Sequence, residues 1–411
     1  MTFGAGSEAS RIEAAVAALG DGPLTEAGVA AHVAPLFSRV LSRRGTAVDL
    51  ANHSLGRPLD ATAADVAEAI ALWQLRLGDA WDEWLAEIDA YRTRLARLLG
   101  APRADCVVPK TSAGQGLRAI LNSYPRQSVP LVVATRGEFD SIDVILRHYA
   151  QRGRVALSLV EPREDGRFAA DDLRAAVREG VDLVVVSQVL FNTGQVLPEL
   201  PALVAAAHAG GTRVLLDVYH SLGVFPVDVS ALDVDFAIGG SYKYLRGGPG
   251  ACYLYLHPRF LDGSFSTLDI GWFAKEERFA YTRPDPPRFA SGGDAFFEST
   301  PPILPVYQAR AGQIFTLAIG VDRLRAYSLA QQQRLVARLA ALGVQAVGGT
   351  EERGAFVVVR DAAAVALAAA LEARGIHGDA RGPYLRLCPD LLTTGAELET
   401  AARAVAGARA P

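Results

Sequence analysis

The sequence predicts an α/β fold, a mostly parallel sheet with helices on both faces and a smaller αβ unit behind it. Two observations carry this. Short β-branched runs alternate with amphipathic helical segments through the middle of the chain, and a long helical stretch followed by further strand-like runs comes after them. Size agrees: 411 residues, half of them hydrophobic and 21% charged, can bury more than one core.

Residues 8–44 show helical spacing broken by Gly20, Gly22 and Pro23, which predicts two short helices forming an arm. A helical pattern returns from Asp60 to Leu99, with Asp60, Thr62 and Asp65 as capping candidates and Gly100 and Pro102 as stop signals. The strand runs are Val129 to Ala134, Val155 to Val160, Asp182 to Val189, Arg213 to Val218, Asp235 to Ile238 and Ala251 to Leu256. Helices Ser141 to Arg152, Ala170 to Glu179 and Leu200 to Ala209 serve as crossovers. The last two runs are too close for a helix between them, so an antiparallel pair is expected there. Residues 258–305 form a Pro-, Gly- and aromatic-rich loop without periodicity, of the kind that builds an active-site wall. Beyond Pro305 a helical stretch to about Leu342 leads to strands near Gln345 to Val347, Ala355 to Val359 and Tyr384 to Leu387. The expected division is an arm over 1–48, a large domain over 49–304 and a small one over 305–411, closely packed because no low-complexity linker separates them.

Composition narrows the function classes. A net charge of -4 leaves no basic surplus for phosphate backbones, so nucleic acid is not an expected partner. Cys106, Cys252 and Cys388 are odd in number and lack CxxC spacing, which predicts neither a disulfide framework nor a zinc site and fits a reducing cytoplasm. The first residues lack the pattern of a secretory signal. The most apolar tract, Ala362 to Leu371, is far shorter than the roughly 20 residues a membrane helix needs, so no membrane partner is expected.

The chemistry-bearing residues are Asp217, His220, Lys243 and the glycines Gly247, Gly248 and Gly250, in order at the ends of expected strands, where open α/β sheets bind ligands. A lone lysine is ordinarily a solvated surface group, and three glycines can be a simple turn. Order and spacing argue otherwise. A lysine held near the sheet between Tyr242 and Tyr244 can reach an aldehyde, and an acid such as Asp217 can keep a pyridine nitrogen protonated. Lys110, Thr111, Ser112, Ala113 and Gly114 open a helix directly after the Val107 to Val108 run and offer a phosphate cup, although Thr111 and Ser112 read equally as a helix cap. Together these features predict a pyridoxal 5'-phosphate enzyme with Lys243 as the Schiff-base lysine.

Motifs from about residue 50 to residue 388 resemble kynureninase and, more broadly, the class V aminotransferase superfamily of fold-type I enzymes, whose seven-stranded sheet is mostly parallel. SYKYLRGGPG from Ser241 resembles the kynureninase lysine motif, and DVYHSLG from Asp217 its Asp-x-x-His motif. FNTGQ from Phe191, NHSLGRP from Asn52, GWF from Gly271, STPPIL from Ser299 and LRLCP from Leu385 resemble further segments in the same order. The resemblance implies that Asp217 bonds the pyridine nitrogen and Phe139 stacks on the ring. It also implies that Thr111, Ser112, Tyr242, Trp272 and Thr300 surround the phosphate, with His220 among the cofactor contacts. Arg386 would clamp the substrate carboxylate, with His53 and Ser54 beside the substrate, and no metal is involved. Arg386 as a planar fork suits a carboxylate. Departures are Ile142 where kynureninases carry an acid, with Asp143 one place off, Arg246 in place of a usual Asn, and His53 interrupting its motif.

The expected activity is therefore a kynureninase-like hydrolase acting on a small amino-acid substrate, with Lys243 and Tyr242 as base and acid, in a cytoplasmic homodimer with shared sites. The same cofactor could instead serve transamination, racemisation or carbon–sulfur lysis, and Ile142 favours such a reading. A cysteine desulfurase needs a mobile cysteine before the carboxylate arginine, and residues 373–385 contain none. A cofactor-free binding protein is the reading from another class, against which stand Asp217, Lys243 and Arg386.

Overall fold

A computed structural model describes residues 5–125 and 127–409. The chain opens with helix α1 (Ala5–Ala17), a single turn α2 (Glu26–Gly28) and α3 (Ser38–Arg44), then strand β1 (Val48–Asp49) and helices α4 (Ala61–Arg76) and α5 (Trp81–Leu99). The expected helix from Asp60 to Leu99 is thus two helices. A 3-10 turn over Leu77–Ala80 separates them, entered through Leu77 at φ 48°. Asp60 does not cap α4 with its side chain. Its carboxylate instead accepts the Ser38 and Arg39 backbone N–H groups, both at 3.0 Å, and caps α3. Asp65 is no cap either, but a buried partner of Arg310 at 3.2 Å.

The alternating region follows as β2 (Val107–Lys110), α6 (Ala113–Leu121), β3 (Leu131–Thr135), α7 (Asp140–Gln151), β4 (Ala156–Val160), α8 (Ala170–Ala176), β5 (Leu183–Ser187), α9 (Leu200–Ala209), β6 (Arg213–Asp217), β7 (Phe236–Gly240) and β8 (Cys252–Leu256). These strands form one seven-stranded sheet in the order β2-β8-β7-β6-β5-β3-β4, in which β8 runs antiparallel to both neighbours and the remaining pairings are parallel. The runs that become β5, β6 and β7 are buried almost throughout, as parallel strands flanked by helices require, whereas the edge strand β4 is only partly buried. The loop expected over 258–305 runs from 258 to 302 through short 3-10 turns, and its last three residues already belong to the following helix. Lys110, read as part of a phosphate cup, is tied to this loop: its amine donates to the Phe296 carbonyl at 3.0 Å and to Glu298 at 2.8 Å.

The last elements are α10 (Ile303–Ile319), α11 (Val321–Ala341), β9 (Val357–Arg360), α12 (Ala364–Glu372), β10 (Ile376–His377), β11 (Asp379–Arg381), β12 (Tyr384–Leu387) and α13 (Gly395–Arg409). The single helical stretch expected after Pro305 breaks at Gly320, whose φ of +87° ends α10. Gln345 to Val347 is not a strand, and only Val347 bridges to Val358. β11, β12 and β9 form an antiparallel sheet.

Residues 48–51 pack with this C-terminal layer. β1 pairs parallel with β10, and Val48 and Leu50 join Ile376, Leu385 and Leu387 in one core cluster. The chain then turns onto the lysine loop: the Gly56 N–H donates to the Tyr242 carbonyl at 2.8 Å, and a Cβ on Gly56 would collide with the Lys243 carbonyl. A backbone atom cannot swing aside as a side-chain tip can. Gly56→Ala is therefore expected to lower stability by roughly 1–3 kcal/mol, the range for overpacking a tight site. A urea midpoint equal to that of the wild type would refute the close contact.

Candidate active site

The carboxyl ends of β3, β5, β6 and β7 converge on a cavity of about 330 Å³ between the main sheet and the starts of α6 and α7. Asp217 ends β6 and forms its floor together with Ser187, its cross-strand partner at the end of β5. Lys243 reaches in from the turn after β7. Two of the glycines behind that turn have left-handed backbone, Gly248 at φ 65° and Gly250 at φ 91°. Gly247 is required for another reason, since a Cβ there would meet Ser241 Cβ at 2.6 Å. Arg246 also takes a left-handed conformation, at φ 58°, a backbone that Asn adopts more readily than Arg. Its guanidinium holds the strained turn through a 2.7 Å bond to the fully buried Asp390.

The Lys243 amine is buried, 2.6 Å from His220 Nε2 and surrounded by the rings of Tyr219, Phe139 and Tyr242 at 4.9, 5.4 and 5.7 Å from their centroids. Burial pulls its pKa down to about 7, opposed by the charge of Asp217. Burial likewise pushes Asp217 up to about 6, opposed by the Tyr219 N–H at 2.8 Å and by Lys243. Burial also keeps His220 neutral at ordinary pH, so its Nε2 accepts from the lysine while Nδ1 faces the Tyr244 hydroxyl at 3.3 Å.

Of the residues singled out in the sequence, Thr111, Ser112, Phe139, Asp217, His220, Tyr242 and Lys243 line this one cavity. Ser112 caps α6 by accepting the Gln115 N–H at 3.2 Å, and Thr111 is exposed beside it. Trp272 and Thr300 lie elsewhere, bonded to each other at 3.3 Å and not among the cavity's lining residues in this chain. Ser54 is exposed, whereas His53 is buried and donates its Nε2–H to Asp379 at 2.7 Å. Burial lowers the His53 pKa to about 4, so the ring is neutral. Arg386 is buried beside Phe191 and holds Asp379 through Nε at 2.7 Å and through Nη2, while Nη1 donates to the Phe191 carbonyl. Burial raises Asp379, but the bonds from His53 and Arg386 outweigh it and keep the carboxylate ionised.

Ile142 is buried on the cavity wall next to Ile145, while Asp143 turns outward to Arg147 at 2.7 Å. The acid one place off therefore does not replace the missing one. The residues the sequence reading passed over are Asp379, Tyr219, Ser187 and Glu138. Asp379 had a signal: it precedes Arg386 across the Gly382–Pro383 turn, and the two are opposite each other in the β11–β12 hairpin. Cys388 is fully buried, its thiol donating to the Ala355 carbonyl at 3.2 Å.

The chain has three lysines, Lys110, Lys243 and Lys275, so a titration resolves them readily. In cofactor-free protein labelled by reductive methylation, NMR should show Lys243 half-titrated near pH 7. Asp217→Asn should lower that midpoint further, because it removes the charge that favours the ammonium form. A midpoint above 9 would contradict a desolvated amine.

Residues 76–396 match the family model described as Aminotransferase class-V. The chain is 30% identical to kynureninase of Salinispora tropica over 392 residues, covering 87% of this chain and 88% of that protein. It is 29% identical to kynureninase of Deinococcus radiodurans, covering 75% and 74% respectively. Among solved structures it resembles a cystine C–S lyase in complex with its product cysteine persulfide, at TM-score 0.80 and 20% identity, covering 90% of this chain and 99% of that one. It also resembles the apo cysteine desulfurase of Thermococcus onnurineus, at TM-score 0.75 and 19% identity, covering 88% and 94%. The fold is thus that of the fold-type I pyridoxal-phosphate enzymes, and the chain belongs to the class V aminotransferase family.

Proposed function

We propose that the cavity holds pyridoxal 5'-phosphate on Lys243 and that the protein is a kynureninase-like hydrolase, cleaving the Cβ–Cγ bond of kynurenine or a related γ-keto amino acid. The observation that supports this most is the buried Lys243 amine, partly neutral near pH 7, lying next to a buried carboxyl on a neighbouring strand end. The donor set fits the group. Asp217 offers an acid for the pyridine nitrogen, Phe139 a ring to stack, and the capped start of α6 with Thr111, Ser112 and Tyr242 a place for phosphate. The bound cofactor supplies an aldehyde for amines and an electron sink for charge left at Cα.

The chain's own residues divide the remaining work. Three of Arg386's five N–H groups are used by Asp379 and the Phe191 carbonyl, which leaves one on each Nη, a fork for the substrate α-carboxylate. Lys243, as a neutral amine, would take the Cα proton; near neutral pH its depressed pKa makes it a competent base. Tyr242, with its hydroxyl held protonated by burial, returns a proton as the three-carbon unit leaves as alanine. Water adds to the γ-carbonyl, and the other product is an aromatic acid such as anthranilate. The Trp272–Thr300 pair stands apart from the cavity within one chain, which accords with a homodimer whose second copy completes the phosphate site. No helix among the described residues is long and apolar enough to cross a membrane, and we assign the enzyme to the cytoplasm.

A second reading keeps the cofactor and changes the outcome to transamination, racemisation or carbon–sulfur lysis. The apolar wall at Ile142 and Ile145 favours it.

Cofactor-loaded protein incubated with L-kynurenine or 3-hydroxykynurenine should release the matching anthranilate and alanine in equal amounts, with none from Lys243→Ala. Absence of anthranilate from a protein that still binds the cofactor through Lys243 would reject kynurenine as substrate. Arg386→Lys should raise KM at least about tenfold, because an ammonium cannot reproduce the two-pronged bond. An unchanged KM would remove Arg386 from the carboxylate site.

A further inference from the structure

Behind the cavity floor lies an acid that the proposed reaction does not use. Glu138 sits between β3 and α7, directly before Phe139, and is only 4% exposed. One carboxyl oxygen is bonded to the Thr135 hydroxyl at 2.6 Å and the other to the Ser187 hydroxyl at 2.5 Å. Thr135 ends β3, Ser187 ends β5 and Asp217 ends β6, and these three strands are adjacent in the sheet. Ser187 is the cross-strand partner of Asp217, and both face the cavity. A row therefore runs along three strand ends, from Glu138 through the Ser187 hydroxyl to the position beside Asp217.

Two buried carboxyls this close cannot both ionise cheaply. Asp217 has the counter-charge of Lys243, whereas Glu138 has two hydroxyls and no cation among the groups that act on it. The negative charge consequently belongs on Asp217 and the proton on Glu138. We propose that Glu138 is a positioning residue for the cofactor's ring. As a neutral acid it holds the Ser187 hydroxyl and leaves Asp217 as the single anion at the cavity floor, the second carboxyl there in a chain that carries Ile142 where relatives by resemblance carry an acid. This rests on the pyridoxal phosphate reading of the cavity. When Glu138 is protonated it donates to Ser187, whose own proton is then free to turn toward the cavity. When it ionises, Ser187 must donate backward and a second negative charge arises beside Asp217. Burial pushes the Glu138 carboxyl up to about 7, with Asp217 as the charged group that adds to the rise, so the change falls in the neutral range.

The test starts without cofactor. Infrared difference spectra of the apoprotein between pH 5 and 9 should show a protonated-carboxyl stretch that disappears with a midpoint near 7. Glu138→Gln should abolish it. In Asp217→Asn it should persist with a lower midpoint, since the neighbouring charge is gone. In the loaded protein, the visible band of the bound cofactor should show an inflection near pH 7 that is lost in Glu138→Gln and in Ser187→Ala. Gln keeps the shape and both hydrogen bonds, so a purely structural role would leave the inflection intact. Superimposable wild-type and Glu138→Gln titrations, or no acid stretch assignable to residue 138, would overturn the proposal. If no variant and no wild type acquires a visible band while the infrared result holds, it is the cofactor reading that fails.

Discussion

The constraint on which the site depends is the cost of keeping ionisable groups out of water at the ends of the central strands. An amine and two carboxyls are buried within one row of neighbouring strand ends, and desolvation is the largest influence on each of them. That shared penalty brings all three into the range where protons move at neutral pH. It also sets which charges favour one another: the lysine and Asp217 each favour the other's charged form, whereas the charge of Asp217 opposes ionisation of Glu138.

Such a site needs rigid walls, and the N-terminal segment supplies one from an unexpected direction. Residues 48–51 are sheet partners of the C-terminal layer, yet Gly56 lies against the lysine turn of the main sheet. Arg57 and Arg246 both approach Asp390, at 3.6 and 2.7 Å, so one buried carboxylate ties this segment, the lysine turn and the start of the final loop together. Two arginines around one acid hold its carboxyl below the usual range despite burial. The left-handed backbone of Arg246 is the strain this cluster sustains.

Much of this was legible in the sequence, for physical reasons that also explain the gaps. The buried parallel strands announce themselves as β-branched runs, and the tight link between β7 and β8 fixes their antiparallel pairing. Helix breaks were harder to read. Leu77 carries no turn signature of its own, and the two helices it separates both pack on α10. Asp60 looks like the cap of the helix it precedes, but its carboxylate is taken by α3, a partner 22 residues away that no local pattern reveals. At the cavity, Asp217, His220 and Lys243 form a recognisable series because each lies at or just beyond the end of a strand. Glu138 does not, since a glutamate before a helix reads as a solvated first-turn acid, and only the adjacency of β3 and β5 buries it.

Under the proposed function, the Asp379–Arg386 pair links architecture to selectivity. An arginine buried without an anion would bear an uncompensated charge, so the hairpin supplies its own carboxylate from the opposite strand. That carboxylate takes Nε and Nη2 and the Phe191 carbonyl takes Nη1, which leaves one N–H on each Nη. Under the proposed function, a substrate carboxylate bound there would add a negative charge to a cluster already balanced by Asp379. Neutral His53 is bonded to the same Asp379 oxygen as Arg386, so the carboxylate is fixed from two sides. The pair thus holds the guanidinium rigid within the fold, and under the proposed function the recognition of a substrate carboxylate would rest on geometry fixed by the hairpin and not on a free, mobile charge.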